Sequence, residues 1–295
     1  MATPEMNIAG GQETALLTNI LKEAVFTQQE KSIAPKVFTV HNMSGTPGLT
    51  AQIPVYPSIT AITRTDVQDM TENTIATTNV TIQASEIGAR LDVSDLLSES
   101  TSRNMGSDVG QLIGSAIAEK VDTEAFDLFD EANITTNNVG DSAGTDMGNY
   151  ILQAVYKLRA VNAPTDASGD YMAVIHPGQA YQLTKLLTSA GFGTSANAIS
   201  NVGNSAMSTS AYIGRLYNVK IFSSAAIQDD SVATDGLGCV FSPLAFGHVI
   251  KRPLRVESQR NASLRSTEYV GSTAVKTAVV KENYACLVRS SKSLA

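Results

Sequence analysis

Three stretches of this chain carry residue types whose spacing could do chemistry. In "AVIHPGQAYQLTKLL" (173–187), a strand-like run delivers His176 to a Pro177–Gly178 turn, and a helix pattern follows. A histidine so placed could serve as a general base, since its ordinary pKa lets it exchange a proton near neutral pH. "GDSAG" (140–144) has the G-x-S-x-G spacing of a nucleophile elbow centred on Ser142. "GFGTSA" (191–196) has the spacing of a G-x-G-x-x-A phosphate loop.

None of the three has the company its chemistry needs. An elbow serine sits between an apolar strand and a helix and works with a histidine and an acid. Here "ITTNN" precedes it and "TDMGN" follows, so 140–144 reads as linker. A dinucleotide loop follows a strand and opens a helix, whereas Gly191 follows a helix pattern and opens a long small-residue loop. The other histidines, His41 and His248, are distant in sequence, and no HExxH, HxH or carboxylate pair accompanies any of the three. His176 therefore reads as a strand-to-helix junction. Cys239 and Cys286 match no CxxC or metal spacing and lie in apolar strand-like runs, which predicts buried free thiols. No catalytic, cofactor-binding or metal-binding residue is expected. A serine hydrolase using Ser142 is the enzymatic alternative.

The elements that surround these motifs are more informative. "ETALLTNILKEAVFTQQE" has Leu16, Leu17, Ile20, Leu21, Ala24 and Val25 at helical spacing, and Pro35 closes the helix. About fifty residues thus form an arm with little core of its own. Residues 49–93 hold two Val/Ile/Thr-rich strand runs around the acidic segment "DVQDMTEN", which predicts a long projecting β-hairpin. Pro54 and Pro57 keep its first strand out of a sheet centre. An isolated two-stranded hairpin is marginal in water, so one this long calls for a partner.

Residues 107–132 predict a long helix capped by Ser107, with Val109, Leu112, Ile113, Ala116, Ile117, Val121, Ala125, Leu128 and Phe129 on one face and Glu119, Asp122, Asp127 and Asp130 opposite. Gly110 and Gly114 lower its intrinsic propensity, so packing must hold it. A Gly/Asn/Ser/Asp linker at 135–149 leads to helix, strand and helix patterns over "YILQAVYKLRAVNAP", "DYMAVIHP" and "GQAYQLTKLLTSA". "YIGRLYNVKIFSSAAI" and "GLGCVFSPLAFGHVI" each read as one strand, and the tail is mostly strand-like.

Charge narrows the function classes. Only 17% of residues are charged, against roughly a quarter in an ordinary domain, and the net charge of −7 argues against a dedicated nucleic-acid binder. One segment departs from this. Lys251, Arg252, Arg255, Arg260 and Arg265 face Glu257 alone, a surplus of four positive charges that leaves −11 on the remainder. A basic ribbon on an acidic body can steer self-association; a DNA-touching strip or a solvated loop are the rival readings. No run approaches the ~18 apolar residues that span a bilayer, and "MATPEMNIAGGQETALL" lacks the basic start and apolar core of a signal peptide. No membrane partner is expected.

The order of these elements resembles the major capsid protein of tailed bacteriophages. The resemblance is carried by "PVYPSITAITRTDVQDMTENTIATTNVTIQA", "IGSAIAEKVDTEAFDLFDEA", "YMAVIHPGQAYQLTKLL", "GRLYNVKIFSSAAI" and the final "VFSPLAFGHVIKRPLRVESQRNASLRSTEYVGSTAVKTAVVKENYACLVR". It implies an α+β fold of the phage capsid (Johnson) type. Its parts would be an N-terminal arm (1–48), an extended β-hairpin loop (49–93), a peripheral domain with a spine helix (94–149), an axial domain (150–250) and a return to the peripheral domain (251–295).

The same resemblance implies pentamers and hexamers of an icosahedral shell around packaged double-stranded DNA, assembled in the host cytoplasm and located in the virion. Further partners would be a portal protein, a separate scaffolding protein and, optionally, a decoration protein. DNA contact would be weak and non-specific. An encapsulin-type nanocompartment is the alternative within the same fold. Some family members weld subunits through a Lys–Asn bond with the lysine on the extended loop. Here no lysine lies between Lys36 and Lys120, so a non-covalent shell is expected. The residues expected at subunit contacts are Arg64, Asp66, Asp69 and Glu72 at the hairpin tip and Arg252, Arg255, Arg260 and Arg265 on the ribbon.

Overall fold

The computed structural model describes residues 11–56, 59, 61, 63, 66, 77–100, 105–141, 144–188, 211–227 and 235–291. Two larger sheets, a two-stranded ladder and two helix layers organise them. The first helix, α1 (Gly11–Lys31), is followed by a short α2 (Ala34–Val37) and strand β1 (Thr39–Asn42). Pro35 lies in the first turn of α2, where its missing N–H costs nothing, so it opens a helix as well as closing one. Strands β2 (Thr50–Val55) and β3 (Thr78–Gln83) form an antiparallel two-stranded ladder in the register Thr50↔Gln83 to Val55↔Thr78. Pro54 is tolerated there because both strands are edges.

Strand β4 (Ser85–Ser94) belongs to a different sheet from β3. It lies antiparallel to β11 (Ser266–Val279), which pairs with β10 (Phe246–Asn261), and β10 pairs in parallel with β1. The order is β1-β10-β11-β4. Alternation explains the change of sheet: Ile87 and Val93 face a core and their neighbours face solvent. The second limb, expected to run on to residue 93, thus lies in the two-stranded ladder only as far as Gln83.

The long helix α4 (Met105–Phe126) covers one face of this sheet, after the short α3 (Asp95–Ser100). Its 22 residues make it about 33 Å long. It starts two residues before the expected cap Ser107 and stops at Phe126 rather than running to 132. A turn beyond Phe126 folds Phe129 back into a cluster with Phe38, Phe126, Phe241 and Phe246, where ring centroids lie 4.9 Å (Phe38–Phe246) to 6.3 Å (Phe38–Phe129) apart. Val109, Ile113, Ile117, Val121 and Ala125 are buried at i, i+4 spacing as expected, but Leu112 and Ala116 are exposed, because α1 and the sheet together cover less than that whole face.

A six-stranded sheet in the order β5-β12-β9-β6-β8-β7 builds the rest. Its strands are β5 (Asn138–Gly140), β6 (Tyr171–Ile175), β7 (Tyr212–Leu216), β8 (Val219–Ser223), β9 (Asp235–Phe241) and β12 (Ala285–Ser291). Helices α5 (Met147–Ala160) and α6 (Pro177–Thr188) cover one face; the phenylalanine cluster and α2 cover the other. Two runs each read as one strand are two. Tyr217 and Asn218 both take left-handed φ, 52° and 62°, making a tight β7–β8 hairpin. A turn at Ser242–Ala245 sends β9 and β10 into different sheets. The segment 251–295, expected to return as one piece, is likewise divided: β10 and β11 stay in the four-stranded sheet, while β12 inserts between β5 and β9, where Leu287 and Val288 are fully buried.

Candidate assembly surface

The arm is held by its own chain. Ile20 and Ala24 of α1 are fully buried against α4. A Cβ on Gly110 would stand 2.6 Å from the Ile20 carbonyl oxygen, and one on Gly114 would stand 2.4 Å from that of Ala24. Only glycine lets the two helices approach this closely. The spacing Gly110-x-x-x-Gly114 puts both glycines on one face of α4, a turn apart. Asp122, expected on the solvent face, is 5% exposed. Its carboxylate accepts from Ser32 Oγ at 2.7 Å and from the backbone N–H groups of Ile33 and Ala34 at 2.8 and 3.0 Å. It caps α2 from another element. Desolvation pushes its pKa above the usual carboxylate value, against the pull of those donors. Of the expected acidic face, Glu119 is exposed on α4, Asp127 and Asp130 are exposed just beyond its end, and Asp122 is not part of it.

Among the described residues, the hairpin is held at its base. Ala51 and Ile82 pack on Val249 with Ile53 and Val80 beside them, while Tyr56 is 63% and Ile59 is 60% exposed. Of the four expected tip residues, Asp66 is exposed in a turn, and Arg64, Asp69 and Glu72 lie outside the described residues.

The basic ribbon is strand, not solvated loop. Arg252 sits on β10 and pairs with Glu86 of β4 across the sheet. Arg255 lies 3.4 Å from Glu257, both about half exposed. Arg260 grips Asp95 with two nitrogens at 2.5 and 2.6 Å. Arg265 is in the β10–β11 turn with a left-handed φ of 48°, and its carbonyl accepts the Asp95 N–H at 2.9 Å. The guanidinium of Arg260 draws the Asp95 pKa down. The ribbon's charge is thus partly met within the chain. Beyond Ile250, the outward edge of β10 has no strand partner among the described residues. Lys251, Pro253, Arg255 and two register shifts at 250–255 lie along that edge, the features that discourage edge-to-edge strand addition.

Of the residues that tempted a catalytic reading, His176 and His248 have structural partners. His176 Nδ1 accepts the Gly178 N–H at 3.1 Å, and the His176 N–H donates to Gln179 Oε1 at 3.2 Å, which secures the start of α6. Fully buried Gln179 then donates to the Gly236 carbonyl at 2.7 Å, tying α6 to β9. His248 is buried, bonded to Thr277 Oγ1 at 2.8 Å, and burial lowers its pKa to about 4. His41 lies on β1, one register position from it. Ser142 and the whole of 191–196 lie outside the described residues. Cys239 and Cys286 are buried and free, and they occupy the cores on opposite faces of the six-stranded sheet. No described helix is long and apolar enough to cross a membrane.

With this geometry in hand, comparison with known proteins is specific. A family model described as phage capsid protein matches residues 76–290. No curated protein matches. Among solved structures, one from Mycobacterium phage Che8 superposes with a TM-score of 0.62 at 20% identity, over 82% of this chain and 84% of that one. The capsid of cyanophage P-SCSP1u gives 0.64 at 18% identity, over 90% and 89%. A virus-like particle from Pyrococcus furiosus gives 0.62 at 10% identity, over 92% and 98%.

Proposed function

This chain belongs to the phage capsid protein family, and from that premise we propose that its copies assemble into pentamers and hexamers of a non-covalent shell that encloses double-stranded DNA. It is a structural protein of the virion, with the capsid fold and no enzymatic role. The observation that carries the assembly reading is the hairpin: a base buried in its own chain supports a limb whose Tyr56 and Ile59 stay exposed. A limb of that kind gains stability when a neighbouring copy covers it.

The net charge of −7 suits a container through which DNA must slide, because a broadly basic wall would hold it. Assembly takes place in the host cytoplasm, with a portal protein, a separate scaffolding protein and optionally a decoration protein as partners. Arg64, Asp66, Asp69 and Glu72 lie at subunit contacts in this reading, together with Arg252, Arg255, Arg260 and Arg265. The missing lysine between Lys36 and Lys120 supports non-covalent cohesion.

Electron microscopy of the purified chain, co-expressed with its neighbouring head genes, tests the proposal. Closed icosahedral particles that protect DNA from nuclease are expected. Monomers at every concentration and salt would overturn it. Particles filled with a protein cargo and free of DNA would favour a nanocompartment instead. A ladder of linked subunits surviving boiling in denaturant would refute the non-covalent shell.

A further inference from the structure

The arm and the four-stranded sheet enclose a cavity of about 370 Å³ between them. Its apolar walls include Val25 of α1, Pro35 of α2, Val121 of α4, Ile250 and Leu254 of β10 and Val275 of β11. An apolar cavity of roughly 150 Å³ takes up benzene, so this one has room for a ring that carries a short chain. Small-molecule sites are built this way, with mostly apolar walls and a few fixed polar groups.

One buried polar atom of the lining is left for a ligand. His248 lines the cavity and is 1% exposed. Its Nδ1 bonds Thr277 Oγ1 at 2.8 Å, and its Nε2 takes no partner among the described residues. The two hydroxyls of the lining are engaged: Ser32 Oγ donates to Asp122 at 2.7 Å and Thr273 Oγ1 to the Arg252 carbonyl at 3.0 Å. Charge then selects the ligand class. His248 and Lys36 are the ionisable groups of the lining. Burial lowers the His248 pKa to about 4, so the imidazole is neutral at neutral pH. A cation would meet Lys36 and no carboxylate in the lining. An anion gains little, because Lys36 is exposed, donates to the Glu30 carbonyl at 2.8 Å and lies in the field of Asp122. Nε2 donates or accepts according to the tautomer, and a hydroxyl serves either.

We propose that this cavity binds a compact, uncharged molecule with an apolar body and one hydroxyl group, the hydroxyl meeting His248 Nε2. Such an occupant touches the arm, α4 and the sheet at once, and so ties the arm to the sheet. Every lining residue belongs to one chain, so the site goes beyond the shell reading and does not depend on it.

The probe is 4-ethylphenol, titrated calorimetrically into the full chain at neutral pH. One molecule should bind per chain, with a dissociation constant of about 1 mM or tighter. Ethylbenzene, which lacks the hydroxyl, and 4-ethylbenzoate, which carries a charge, should each bind about ten-fold more weakly. Val25→Phe fills the cavity from the arm and should abolish binding. His248→Leu should erase the preference for the phenol over ethylbenzene. At ten times its dissociation constant, 4-ethylphenol should slow amide hydrogen exchange over residues 28–37 about ten-fold. No saturable binding overturns the proposal, and so does binding that persists in folded Val25→Phe. Equal affinity for ethylbenzene overturns it by removing the hydroxyl's role, and a preference for 4-ethylbenzoate overturns it by giving the site to Lys36 and an anion. The wild-type series decides the matter even if neither variant folds.

Discussion

The arm and the hairpin were expected to share one problem, a lack of core, and they solve it differently. The arm helix α1 is met inside the chain, by two glycines of α4 that admit its backbone and by Asp122, which caps the segment after it. The hairpin has a small apolar base and an exposed limb. An extended ribbon has few neighbours of its own, whereas a helix can lay a whole stripe on another helix. In the proposed shell, the hairpin is thus the extension that gains from cover by another copy.

The largest way to break this contrast is Gly114→Val. Its Cβ would meet the Ala24 carbonyl oxygen at 2.4 Å, so α1 must leave its seat, at a cost on the order of 4 kcal/mol. Denaturant titration should show that loss, and proteolysis should cut the arm first. Ala116→Val, on the exposed side of the same helix, should stay within about 0.5 kcal/mol.

Acid should come next. His248 lines the seam between β10 and the arm, and its folded pKa of about 4 lies below the ordinary 6.5. The fold then binds fewer protons than the unfolded chain, so this contribution is complete above pH 6.5. It is lost as pH falls from there to about 4, a change of about 3 kcal/mol. His248→Gln should flatten that part of the stability–pH curve.

Asp122→Ala should cost about 2 kcal/mol by leaving the buried Ile33 and Ala34 N–H groups unpaired, with Asp122→Asn costing less. Chemical denaturation compares the two. Raising the pH should not strengthen this site. Because the folded pKa of Asp122 lies above its ordinary value, its contribution is greatest below that ordinary value and declines as pH rises through the folded pKa.

The smallest effect on the subunit is the sharpest on the assembly. Tyr56→Ser with Ile59→Ser should change the subunit's stability by less than about 0.5 kcal/mol and still lower particle yield in sedimentation. Arg255→Glu is the cleaner ribbon probe, because Arg260 also holds Asp95 within its own chain. A stable monomer with normal assembly after both changes would place the working contacts elsewhere.

Much of this was legible beforehand. Hydrophobic period marked α1, α4, α5, β6 and α6, and the order of elements carried the family resemblance. The Tyr217–Asn218 hairpin was missed because its turn lacks the usual glycine. The ribbon's arginines were legible as a cluster, but not their carboxylate partners Glu86 and Asp95, which precede them by well over a hundred residues.

By itself, the sequence determined where the main helices and strand-rich runs lie, where charge accumulates and that no lysine lies between Lys36 and Lys120 for a covalent weld. Those properties follow from local spacing and residue type. Only the tertiary structure decided that Asp122 is a buried cap, that Gly110 and Gly114 seat the arm and that β12 crosses into the second sheet. Each of these depends on which distant backbone comes within a few ångströms, and local spacing carries no record of that.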